Sequence, residues 1–173
     1  MKVHDFKNSL QVGAEGEQVV INWLSSGKNV LAVIDFRNMP KMQKVDIDFG
    51  MVVETITGVN VTTWELKTDT TTLPNLFYEE VSAQETGSKG CLAKTKADFI
   101  IYRYENLGIT YVLQTRKFRK WVAQQRDTII SMTGLKTVKN RRYDGSLFST
   151  TGLAIPRDLI NRDLASFGAK VKL

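Results

Sequence analysis

Four charged side chains stand at spacings that suggest joint chemistry: Asp46 with Asp48, and Glu65 with Lys67. In extended backbone, residues two apart point to the same face. Segments 45–53 and 59–67 are rich in β-formers and separated by a turn, which predicts a hairpin. A two-residue turn at Ile56-Thr57 sets Asp48 opposite Glu65, and one at Thr57-Gly58 sets it opposite Lys67. Either register gathers both pairs on one face, with Trp64 and Leu66 directed to the other. Carboxylates and an ammonium gathered on a sheet face are costly unless paired or metal-bound. They suit a hard divalent cation: Mg²⁺ takes one or two carboxylates, waters and a phosphate oxygen. A nearby lysine can orient or deprotonate the water that attacks a phosphodiester.

The elements that must hold this face can be read from the flanking sequence. Val19, Val20, Ile21, Trp23 and Leu24 are spaced as one side of a helix over 14–25, ended by Gly27. Leu31 to Ile34 reads as a short buried strand. Further strands are predicted at 76–81, 97–104 and 108–113, the last two joined by a turn at Asn106-Leu107-Gly108. A helix over 115–131 carries Arg116, Lys117, Arg119, Lys120 and Arg126, and Pro156 is placed at the first position of a last short helix. Trp23, Trp64 and Trp121 sit among apolar neighbours and are assigned to the core. The chain has 173 residues without linker or repeat, so one domain, 1–173, is expected. Helix, mixed sheet and helix make an α/β fold.

Composition narrows the chemistry. A single cysteine, Cys91, excludes an internal disulfide and CxxC sites; a single histidine, His4, excludes histidine metal cages. Cys91 lacks an activating base and is read as a small buried hydrophobe, and His4 as a surface residue. The longest apolar run is Val30 to Ile34, and the first residues resemble no signal peptide, so a cytoplasmic protein without membrane association is expected. Net charge is +6, divided unevenly: residues 1–115 carry 11 basic and 14 acidic groups, and 116–173 carry 13 and 4. The basic C-terminal region, with Lys136, Lys139, Arg141 and Arg142 beyond the helix, has the density of a phosphate-binding strip.

Asp48, a hairpin, then Glu65-Leu66-Lys67 resembles the Asp…(Asp/Glu)-x-Lys signature of the restriction-endonuclease-like nuclease superfamily. Gly13-Ala14-Glu15-Gly16-Glu17 is similar to the first-helix glutamate motif of its Holliday-junction-resolvase-like branch, and 73–82 with Lys89-Gly90 looks like segments of phage members. No proline directly precedes either aspartate, which departs from the pattern. The resemblance implies a core of helix, three-strand meander, helix and strand over about 12–125. It also implies catalytic roles for Glu17, Asp48, Glu65 and Lys67. Asp48, Glu65, the Leu66 carbonyl and Glu17 would hold Mg²⁺, for which Mn²⁺ would substitute, with Asp46 as rival aspartate. Glu80 and Ser82 would flank the cleft. DNA would be held there and at Lys89, Arg119, Lys120, Arg141 and Arg142.

The expected function is metal-dependent DNA endonuclease activity. A chain this short leaves little beyond the core for base readout, which favours branched or junction DNA over a sequence. Cutting both strands of a junction calls for a homodimer. The alternative is a non-catalytic nucleic-acid-binding or assembly protein on the same fold, which would have no reason to hold acids beside a phosphate.

Overall fold

The computed structural model describes residues 4–142 and 144–173, with side chains from Gly16 onward; the His4 side chain lies outside these. In chain order the elements are β1 (His4–Asp5), α1 (Phe6–Ser25), β2 (Val30–Asp35), α2 (Pro40–Gln43), β3 (Phe49–Thr55) and β4 (Gly58–Asp69). There follow β5 (Asn75–Ala83), β6 (Ser88–Lys89), α3 (Cys91–Lys94), β7 (Phe99–Tyr104), β8 (Ile109–Gln114) and α4 (Thr115–Thr133). The chain closes with β9 (Leu135–Arg141), β10 (Leu147–Pro156), α5 (Arg157–Asp163) and β11 (Gly168–Val171). No described helix is long and apolar enough to cross a membrane.

The fold is mixed α/β. A six-stranded sheet runs β11-β8-β7-β4-β3-β2, antiparallel except where β4 and β7 lie parallel; a second sheet, β1-β9-β10-β5-β6, packs against it. β2, β3 and β4 form the expected meander. The route from β4 to β7 is made by β5, β6 and the four-residue α3, where the resemblance called for a full helix. A parallel neighbour needs a crossover, and here strands of the other sheet supply most of it.

Alternation along β4 decides the layering. Trp64 and Leu66 turn towards α1, where Val20, Leu24, Phe49 and Ile101 close a small core and Trp64 stacks on Phe99 at 4.6 Å between ring centroids. Glu65 and Lys67 face the other way, the side on which Ile100, Tyr102 and Leu113 join Tyr78, Phe118, Trp121 and Leu153 in the larger core. Trp121 is buried with its indole N–H on Asp163 at 2.9 Å, as a core tryptophan requires. A Cβ on Gly16 would lie 2.5 Å from Thr68 Oγ1, so glycine lets α1 approach β4 and bring Glu17 to the sheet.

Several expectations are corrected. The first helix starts at Phe6, eight residues before the predicted position. β2 is an edge strand paired only with β3: Val33 packs against the small core under α1, and Leu31 and Ile34 are exposed. Pro156 ends β10 and precedes α5. The basic segment after α4 is the β9–β10 hairpin, unforeseen because its charges conceal the alternation.

Candidate active site

The hairpin register is fixed by pairing of Phe49 with Trp64 and Thr55 with Gly58, leaving Ile56-Thr57 as the two-residue turn and Asp48 opposite Glu65. The Asp48 N–H donates to the Trp64 carbonyl at 2.9 Å, continuing the ladder one residue beyond β3. There it stops. Asp46 has φ +49°, a left-handed conformation that aspartate tolerates better than most residues, and it turns the chain away from β4. Asp46 is therefore not the strand partner of Asp48 that alternation predicted. Its carboxylate lies 3.0 Å from Lys94 Nζ, and its carbonyl accepts the Thr95 hydroxyl.

The diverted chain leaves the Leu66 N–H without a backbone acceptor from β3, and Asp48 Oδ2 takes it at 2.8 Å. A strand residue directs its N–H and C=O to the same side, so the Leu66 carbonyl faces this aspartate as well. Glu65 is 7% exposed, and its Oε2 is buried without a hydrogen-bond partner. Burial, and then the Asp48 and Asp46 carboxylates, push Glu65 far above the usual carboxylate range. Burial and the nearby Glu17 charge raise Asp48 to about 6, against the lowering effect of the Leu66 hydrogen bond. A proton therefore stays on the pair at neutral pH.

Lys67 sits two residues along from Glu65 with its Nζ 3.2 Å from Glu79 Oε1 on β5. Its ammonium is held above the usual lysine range by Cys91, then Glu79 and Glu65. Burial pushes the Cys91 thiol itself up to about 12, so Cys91 is uncharged at neutral pH and Glu79 is what holds Lys67 protonated there. The thiol lies 3.8 Å from Glu79 Oε2 and has no nucleophilic character.

Glu17 reaches the same region but is engaged by Arg37, which also grips Asp35 at 2.5 and 2.8 Å. Arg37 lies over the Phe49 ring at 5.7 Å. Among the described residues no three Asp, Glu, His or Cys side chains form a ready-made metal cage. The donor set still fits Mg²⁺, which asks for one or two carboxylates and fills its sphere with water and phosphate oxygen. Asp48, Glu65 and the Leu66 carbonyl meet that need, and the orphaned Glu65 Oε2 is a buried acceptor in want of a cation.

The remaining predicted residues are dispersed. Glu80 points away from Lys67 and pairs with Arg126 at 2.9 and 3.1 Å; its neighbour Glu79 faces the site, as alternation along β5 dictates. Ser82 donates to the Ser88 and Lys89 carbonyls, closing the β5–β6 hairpin, and Lys89 is exposed. Arg119 donates to the Leu92 and Thr95 carbonyls at 2.8 Å each, so it holds the α3 turn in place. With Lys94, Lys96 and Arg116 it lines a basic depression of about 430 Å³. Lys120, Arg141 and Arg142 are exposed, Arg142 resting over Phe148 at 4.8 Å. Sequence reasoning passed over Arg37 and Glu79, and considered Lys94 only as a possible DNA contact, not as the partner of Asp46. Only Glu79 had a signal, its alternation with the apolar Leu76 and Tyr78.

No family model, curated protein or solved structure matches this chain.

Proposed function

We propose that the protein is a metal-dependent endonuclease that hydrolyses DNA phosphodiester bonds, acting on branched or junction DNA as a homodimer inside a bacterial or phage-infected cell. The observation that carries the reading is Asp48 facing a buried Glu65 whose Oε2 has no hydrogen-bond partner, with Lys67 on the same sheet face. α1, the β2–β4 meander and β7 parallel to β4 are the parts of a restriction-endonuclease-like core that support it.

Mg²⁺, with Mn²⁺ as substitute, would be held by Asp48, Glu65 and the Leu66 carbonyl. Such a cation supplies Lewis acidity and lowers the pKa of water. As a ligand Glu65 would be deprotonated, since metal ligands act in that form. Lys67 stays protonated, so it serves as a donor that positions water or a phosphate oxygen and offsets negative charge developing on phosphorus. Asp48 keeps one oxygen on the Leu66 N–H and is oriented by it. Glu17, tied to Arg37, acts from behind the cluster through charge.

Arg37 on Glu17 favours the second reading, a nucleic-acid-binding protein on the same fold, because it neutralises an expected ligand. Side-by-side assays of linear duplex, single-stranded, flap and four-way-junction DNA with Mg²⁺ or Mn²⁺ separate the two. Cleavage of the branched forms is expected. Tight binding without cleavage of any substrate would establish the second reading.

A further inference from the structure

A second concavity opens beside Lys67. It measures about 460 Å³ and lies between the end of β4 and the exposed face of the second sheet. Phe77 pairs with Ala154, and Val138 with Thr150, so three adjacent strands present Phe77, Ala154 and Val138 as an apolar floor. Lys67 and Lys136 line it, as do Asp69 and Glu79, the latter paired with Lys67. Asp69 is fixed in place: Oδ2 accepts the Tyr102 hydroxyl at 2.8 Å and Oδ1 the Thr71 N–H at 2.7 Å.

An aromatic and aliphatic floor, a fixed carboxylate acceptor and two ammonium groups ask for a ligand with a flat apolar face, an N–H edge and an anionic link. A nucleotide has all three. The volume lies in the range of small-molecule sites, and nucleotides received in such pockets are taken out of the base stack. An acceptor such as Asp69 can meet an exocyclic amine on the pairing edge of a base only when that edge is free.

We propose that this cavity receives one unpaired nucleotide of the substrate strand, adjoining the phosphate at Lys67. The base lies against Phe77, Val138 and Ala154 with its amine towards Asp69, and Lys136 meets the next phosphate. The assignment rests on the phosphodiesterase reading for its placement next to the scissile phosphate. It adds that strands are recognised by a missing partner, which is what flaps, gaps and junction centres share.

The test uses full-length protein with Ca²⁺ in place of Mg²⁺, and flap DNA carrying 2-aminopurine at its first unpaired position, against the same label in full duplex. A fluorescence change confined to the unpaired label is expected. Val138→Trp, which fills the cavity from a half-buried position, should cost the flap roughly 5- to 150-fold in affinity, the worth of one stacked base, and leave duplex binding unchanged. Lys136 is exposed, so Lys136→Glu tests the same cavity without threatening the fold, and should weaken the flap more than the duplex. Equal signals from paired and unpaired labels, or an undiminished flap preference in both variants, would overturn the pocket. Cleavage in Mg²⁺ is scored apart: cleavage without label discrimination removes the pocket and keeps the nuclease, and discrimination without cleavage keeps the pocket and removes the nuclease.

Discussion

Asp48 Oδ2 receives the backbone N–H of Leu66 at 2.8 Å, so a side chain supplies the acceptor that the diverted backbone before Asp48 does not. The hydrogen bond fixes the carboxylate against β4 and sets its remaining lone pairs towards Glu65. The end of ladder pairing is thereby turned into orientation of an acid.

Glu65→Ala and Lys67→Ala are expected to lower cleavage at least about a hundredfold while keeping the fold and most DNA affinity. Either variant retaining a tenth of wild-type turnover would remove these residues from the chemistry. Asp48→Asn should also lose Mg²⁺ affinity by calorimetry. Asp46→Asn should lose less, because Asp46 is occupied by Lys94; the reverse order would exchange the two aspartates.

The protonated pair gives a pH signature. Glu65 binds its proton more tightly folded than unfolded, so this group favours folding most below its unfolded pKa, and that contribution falls as pH rises towards its folded value. Glu65→Gln removes the ionisation and should stabilise the cation-free protein by about 1–3 kcal/mol at pH 8, with the gain shrinking towards pH 5. Urea melts at both pH values check it, and a pH-independent gain would contradict it. Mg²⁺ binding at pH 7.5 should release protons, read from calorimetry in buffers of different ionisation enthalpy.

Basic residues that resemble one another in sequence should separate in experiment. Replacing Arg141 and Arg142 together by alanine should lower the slope of log affinity against log salt on duplex DNA by roughly 0.9 for each phosphate no longer neutralised, with little change in stability. Arg119→Ala should instead destabilise the fold by about 1–3 kcal/mol, because the Leu92 and Thr95 carbonyls lose their donor. An unchanged salt slope in the double variant would move DNA binding to Lys94, Lys96 and Arg116.

Glu17→Gln should weaken cation affinity only about 10- to 100-fold, as a group acting from behind the ligands does, and less than Glu65→Gln. Isothermal titration with Mn²⁺ measures both. A larger loss at Glu17 would mean that Arg37 releases it when the cation binds.

Sedimentation equilibrium at micromolar concentration is expected to show a two-fold dimer. A monomer with undiminished junction cleavage would refute the assembly.

The hairpin, its register choices and the shared face of Asp48, Glu65 and Lys67 were legible because β-alternation is local. The second sheet was not. β5 pairs with β10 across some seventy residues, as Val81 with Thr151 shows, and no local pattern records such a partner. Lys136, Lys139 and Arg141 gave β9 the look of a phosphate-binding strip, though alternation sends Lys136 to one face and Lys139 and Arg141 to the other. The Arg37 clamp on Glu17 depends on how a loop meets a helix, and a lone arginine carries no sign of it. Asp46 was misplaced because nothing in Val45-Asp46-Ile47-Asp48 announces a left-handed residue.

The inserted route from β4 to β7 also sets the order in which the molecule can be made. Glu79, which holds Lys67, stands on a strand whose long partner is β10, so that strand waits for residues 147–156 to leave the ribosome. Pairings this distant along the chain slow folding. Lys67 is therefore put in its final setting late in synthesis, and nascent chains carry the acids of the candidate site well before they carry its complete architecture.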